Sequence, residues 1–382
     1  MDIDFDAWRR RIRANTFGNY HYEMGVALER EGGWSAAIAS YGRAIDIDPS
    51  LAAARLRLVN ALTHAGDTAR AQKVEAEARA YDPAFRERAT YRLAKELAEG
   101  GQLEAATATL AAVDQEARVP PHERGEAWLA VAGALAKQED FAQALQAYQQ
   151  GLKISPQDVE TLLGAANAAF RSNDAAEAVR LARTAFAVDQ TARTSYLLGF
   201  YSMALGETSA AIEAFDAAKA NGYTPASHCT LHAALAALAN RPGLALAGFD
   251  EVLANEAHNV VAASFRAIAL LGLGQREPAL RAAEAARSMT ADTPHTLTNL
   301  ALCLEAVGRS VEASKLLDQA RASGKAWPHY AAASLAVRAG SEARVQALLD
   351  EAQRLEPQWV RYYLGLLPGG SGKGLQPLMT LP

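Results

Sequence analysis

Few cysteines, few aromatics and no long apolar run set the first limits on this chain of 382 residues. With Cys229 and Cys303 alone there is no disulfide framework, and a reducing compartment is the simpler expectation. No stretch reaches about eighteen uninterrupted apolar residues, the length that would mark a membrane-spanning helix. The start, Met1-Asp2-Ile3-Asp4-Phe5-Asp6, is acidic where a secretory leader needs a basic segment ahead of an apolar one. The expectation is a cytoplasmic protein without membrane insertion. A positive excess is missing as well: 38 Lys and Arg against 43 Asp and Glu leave −5, with no general pull toward nucleic acid. What the chain does have is helix-forming residues, since half of it is hydrophobic, much of that alanine, and 21% is charged.

Apolar and small residues recur at helical spacing and also at a longer period of about 34, set by Pro49 and Pro83, each after an Asp that closes an Ala-rich helix. With that proline as position 32, position 1 falls on Gly18, Ala52, Glu87, Gly125, Val159, Ala192, Ala226, Val260, Pro294 and Ala326. Positions 8 and 20 are small almost throughout, from Gly25 with Ala37 to Ala333 with Val345, as the contact of an antiparallel helix pair requires. Position 15 is Gly or Asn except at Glu139, the choice for a left-handed turn closing the first helix. Large residues at position 24, such as Tyr41, Tyr148, Phe215 and Phe249, are expected to fill the space between neighbouring pairs.

At these residues the chain resembles the tetratricopeptide repeat family. The first unit carries Met24-Gly25, Leu28, Ala37, Tyr41, Ala44 and Pro49 at the family's offsets, and the fourth carries Trp128, Leu135, Ala144, Tyr148 and Pro156. Later units drift, with Gln190 where a proline is expected and Ala263 and Ala283 where larger residues are usual. The resemblance spans about residues 18–357. It implies an all-α, right-handed superhelical solenoid of about ten antiparallel helix pairs. Residues 1–17 are expected to form an N-terminal capping helix and 358–366 a C-terminal one, with 367–382 a flexible tail. The inserted stretch 118–124, with two prolines, marks an expected bend.

No catalytic constellation emerges. The Gly-rich residues 369–374 lack the first glycine and the hydroxyl of a nucleotide loop, since Leu367 and Gly374 stand at those places. His228 and His232 have zinc-compatible spacing, but Cys229 beside them and the surrounding sequence supply no further ligand set, so neither metal nor cofactor is expected.

The resemblance implies that the first helices line a concave groove, with position 5 pointing into it. Candidate groove residues are Tyr22, Asn60, Tyr91, Lys95, Leu129, Leu163, Asn167, Phe170, Arg171, Tyr196, Phe200 and Met203. Of these Leu163, Asn167, Phe170, Tyr196, Phe200 and Met203 are expected to converge, and Ser264, Thr298 and Thr230 should make the later groove small and hydroxylated. A chaperone-tail clamp is disfavoured, because Tyr22, Val26 and Leu56 stand where that type has Lys and Asn. The asparagine ladder of sugar-transferase arrays is also missing, since Asn60, Asn167 and Asn299 share no column. The expected function is a non-catalytic scaffold holding a protein or peptide in its groove. The alternatives are a targeting subunit for a separate glycosyl- or sulfotransferase and a self-assembling scaffold, against which Trp8 and Trp359 stand as caps.

Overall fold

The computed structural model describes residues 5–113, 118–238, 240–290, 292–338 and 340–367, and for residues 5–16 the backbone alone. The chain folds as two compact units that divide after Pro156. The first contains α1 (Phe5–Arg30), α2 (Trp34–Ile47), α3 (Ala52–His64), α4 (Thr68–Tyr81), α5 (Phe85–Glu99), α6 (Leu103–Ala111), α7 (Pro121–Lys137) and α8 (Phe141–Ile154). The second contains α9 (Val159–Arg171), α10 (Ala175–Val188), α11 (Ala192–Leu205), α12 (Thr208–Ala220), α13 (Ala226–Ala237), α14 (Pro242–Asn255), α15 (Val260–Gly272) and α16 (Arg276–Ser288). It continues with α17 (Pro294–Ala306), α18 (Ser310–Arg321), α19 (Ala326–Arg338), α20 (Glu342–Leu355), a 3-10 turn at Pro357–Trp359 and α21 (Val360–Leu366). There is no strand among the described residues. The fold is an all-α array of stacked helix hairpins: each odd helix packs on the even helix after it, and α3, α5 and α7, like α15, α17 and α19, pack in succession.

The hairpins follow from local chemistry. Nine of the ten position-15 residues have φ between 63° and 86°, including Asn173 and Glu139, the one residue that departs from the small-residue choice. A left-handed Glu costs about 1 kcal/mol where Gly costs little, so the hinge is imposed on Glu139 by its helices. Helix starts are capped: Asp67, Asp140, Asp158 and Asp174 accept from backbone N–H groups three residues on. Thr191 with Thr194 and Thr293 with Thr296 form reciprocal capping boxes. Where Gln190 replaces the expected proline, its carbonyl accepts from Asn221 at 2.9 Å, which ties the loop by a hydrogen bond instead.

Packing gives the large position-24 residues two contacts. Tyr41 and Phe215 each lie over the position-8 glycine of their own hairpin, and Phe215 also meets His232 of the next hairpin at 5.5 Å. A Cβ added at Gly25 would stand 2.5 Å from Tyr41 Cε1, and one at Gly199 would stand 2.9 Å from the Phe215 ring. The glycine is required because the facing ring occupies the volume of its missing side chain.

The ends and the insertion differ from expectation. Residues 5–17 are no separate cap but the start of the continuous helix α1. Nothing there stops a helix: no proline intervenes, and an interior Gly such as Gly18 costs only about 1 kcal/mol. The insertion at 118–124 lengthens α7, with Pro121 at its first turn and Val119 buried, and α7 still packs on α5. Residues 368–382, including the Gly-rich stretch, lie outside the described residues.

Candidate functional site

On the first unit's inner face, Tyr22 is enclosed. Its hydroxyl donates to the Glu96 carboxylate and accepts from Arg57 Nε at 3.1 Å. Arg57 Nη1 reaches Glu29 at 3.2 Å, and Glu29 also accepts from Tyr41. The Arg57 guanidinium stands 5.9 Å from the Tyr22 ring centroid. Tyr22 thus links α1 to α5 through Glu96 and to α3 through Arg57. Burial, and then the charge of Glu99, push the Glu96 carboxyl up to about 7.

The other first-unit candidates lie beside open space. Tyr91 walls two recesses. One, of about 360 Å³, is shared with Leu110, Val113, Arg124, Trp128, Gln150 and Lys153. The other, of about 310 Å³, has Arg88, Arg92, Lys95, His122, Glu123 and Glu126 around it. Arg88 is neutralised by Asp82 and by Glu123 at 3.0 Å. Arg92 and Lys95 are exposed and have no ion-pair partner among the described residues. Leu129 is half-buried and Asn60 is exposed on α3.

In the second unit Leu163, Phe170 and Met203 are buried, while Asn167 and Arg171 face solvent. Phe170 and Phe200 meet edge-on at 5.5 Å. Tyr196, expected to stand with Phe200 as a ligand anchor, has other neighbours: it stacks on Tyr223 at 4.2 Å and sets its edge to Phe215 at 5.5 Å. Burial raises its hydroxyl pKa first of all, with Tyr223 adding.

Phe170 and Phe200 also meet Trp359, at 5.7 Å and 5.1 Å, both near perpendicular. The segment after α20 therefore returns across the inner face to α9 and α11. Tyr363, further along it, lies 5.8 Å from Trp327 and 5.7 Å from Tyr330, both fully enclosed. The sequence pattern anticipates a short closing helix but not this destination. The available signal is the run Trp359, Tyr362, Tyr363 and Leu366, an i, i+3, i+4, i+7 stripe that makes an apolar face and so needs a surface to bury against.

The small hydroxyl residues expected in the later groove are largely internal. Ser264 and Thr298 are buried, and Ser264 Oγ accepts from Asn299 Nδ2 at 2.9 Å. Asn299 Oδ1 in turn accepts from Trp327 Nε1 at 2.9 Å, so three successive first helices are pinned by neutral hydrogen bonds. Thr230 alone stays partly open, against Lys219 and Glu251.

The thiols are buried, and burial pushes Cys303 up to about 12 and raises Cys229, so both stay protonated near neutrality. His232 Nδ1 lies 2.7 Å from the His228 carbonyl and donates to it, and burial lowers the His232 pKa. No group of three or more metal-binding side chains gathers among the described residues.

Two tetratricopeptide repeat models match the chain, one over residues 22–85 and 91–159 and another over 135–199. No curated protein matches it in sequence. Among solved structures, a tetratricopeptide repeat protein from Parabacteroides merdae ATCC 43184 is 14% identical with a TM-score of 0.48, covering 69% of this chain and 97% of that one. Yeast Tom70 is 13% identical with a TM-score of 0.36, covering 95% and 97%. YrrB, described as a tetratricopeptide repeat protein with an unusual peptide-binding site, is 17% identical with a TM-score of 0.40, covering 45% and 89%. Helix hairpins repeated at a period of about 34, nine of the ten closed by a left-handed hinge, together with these family matches, make the chain a tetratricopeptide repeat protein.

Proposed function

We propose that this protein is a non-catalytic scaffold that holds an acidic segment of a partner protein on the inner face of its first unit. The observation that carries the reading is the pair of exposed cations, Arg92 and Lys95, without an ion-pair partner among the described residues, on the helix whose Tyr91 walls two adjoining recesses. An apolar or aromatic side chain of the partner enters the recess between α5 and α7, beside Tyr91 and Ala127, and supplies the anchor. Carboxylates flanking that anchor meet Arg92 and Lys95, which steer the encounter and penalise basic sequences. On this reading the protein works in the cytoplasm without a cofactor, and its ligand is neither nucleic acid nor membrane; the net charge of −5 and two buried thiols support that.

The test is selection from a random peptide library displayed on phage, with the wild-type chain and an Arg92→Glu, Lys95→Glu chain as baits. Enrichment of peptides combining Asp or Glu with an aromatic residue, lost on charge reversal and weakened at 0.5 M salt, is expected, since salt of that strength screens exposed charges beyond about 5 Å. Enrichment indifferent to the charge reversal would refute the reading.

A further inference from the structure

The inner face of the second unit already holds a helix, and its geometry points to a site for that kind of ligand. We propose that this face is a receptor for a short amphipathic helix of a partner protein, bearing aromatic residues at i, i+3 and i+4, and that residues 357–367 occupy it in cis until such a helix displaces them. This does not rest on the reading of the first unit.

Three observations carry the inference. First, the occupant has the form of a helix-in-groove ligand: Trp359 packs edge-on against the Phe170–Phe200 pair, and Tyr363, one turn on, covers Trp327 and Tyr330. Second, the fit is incomplete. A cavity of about 340 Å³ remains between Pro357, Val360 and Arg361 on one side and Asn173, Ala176 and Ala204 on the other. The Tyr330 hydroxyl, in a residue with no exposed surface, has no hydrogen-bond partner among the described residues. A competing helix with an acceptor at that depth gains a hydrogen bond that the chain's own segment does not make. Third, the segment is held by a small latch. A single residue, Glu356, joins α20 to the 3-10 turn, and its carboxylate accepts from Ala326 N at 3.0 Å and from the Tyr363 hydroxyl at 3.2 Å.

A tethered segment competes at an effective concentration of about millimolar, so a free ligand succeeds only if it binds better or the latch is weakened. The probe is a labelled peptide of residues 356–367, added to the full chain and read by fluorescence anisotropy. Binding to the wild type should be weak, and binding to Tyr363→Phe, which keeps the ring and loses the bond to Glu356, several-fold tighter. Trp359→Ala should bind it at least tenfold tighter than wild type, and adding Phe200→Ala should abolish that gain. Equal binding to all variants, or to none, overturns the proposal. So does a Trp359→Ala chain that no longer folds, since a displaceable segment cannot be what holds the unit together. Hydrogen exchange of the wild-type chain gives an independent reading: the amides of α21 should exchange at least tenfold faster than those of α19, and equal protection overturns the proposal.

Discussion

The two units share one hairpin and differ in what they do with the inner face it creates. In the first unit that face is charged: Glu29, Arg57, Tyr22 and Glu96 form a network across three first helices, and Arg92 and Lys95 stand exposed beside an open recess, with no ion-pair partner among the described residues. In the second it is aromatic and partly covered: the core is continuous from Met203 to Leu367, the buried polar groups include the neutral chain Ser264, Asn299 and Trp327, and α21 lies against α11 and α19. The small residues of positions 8 and 20 fix how closely helices approach, and they are alike in both units. The side chains facing inward then decide whether the same scaffold presents a site or extends its core.

The largest effect that would break the comparison is expected from Phe215→Ala, which empties the volume over Gly199 and should cost the second unit about 3–5 kcal/mol. Hydrogen exchange resolved along the chain should show the loss in α11 and α12 while α3 to α6 keep their protection. Gly25→Ala is the converse change in the first unit. Its Cβ would lie 2.5 Å from Tyr41, and overpacking should cost about 1–3 kcal/mol with α1 and α2 opening first.

Asn299→Leu probes the neutral ladder. It leaves Trp327 Nε1 and Ser264 Oγ buried without their partner and should cost about 2 kcal/mol by urea unfolding, with little dependence on pH.

Glu96 gives the first unit the opposite signature. Its folded pKa is raised from 4.5 to about 7, so the folded state holds the proton more tightly than the unfolded state does. Its contribution to stability is complete below about pH 4.5 and is lost as pH rises through 7, by about 2 kcal/mol after allowance for its partial exposure. Unfolding of the first unit from pH 5 to 8 should show that fall, and Glu96→Gln should flatten it. A slope unchanged by Glu96→Gln would mean that another group sets it.

The smallest effect sharpens the account of the hinge. Glu139→Gly relieves a left-handed glutamate and should raise the first unit's stability by about 1 kcal/mol, measurable as a higher thermal midpoint.

Much of the hairpin was legible in the sequence because its causes are local. Position 15 requires a left-handed residue, positions 8 and 20 require small ones, and each requirement recurs at the repeat's own period. Even Glu139, whose type argues against the turn, was placed by register. The inner face was less legible. Tyr22 and Glu96 lie 74 residues apart, and Phe170 and Trp359 much further, so no local period records either contact. Tyr196 and Phe200 are one helical turn apart, yet Tyr196 turns to Tyr223 and Phe200 to Trp359, a difference set by what each helix packs on. Asn299, set aside in the sequence because it shares no column with Asn60 and Asn167, is a link inside the core; an amide has the same composition whether its partner is a ligand or a neighbouring helix.

The most direct test of the contrast between the two inner faces is photo-cross-linking of the full chain with a benzophenone amino acid in place of Trp359. The account predicts intrachain cross-links, in the isolated monomer, to peptides spanning Phe170 and Phe200. Cross-links confined to α19 and α20, or to solvent alone, would show that the second unit's inner face is as open as the first and would contradict the account.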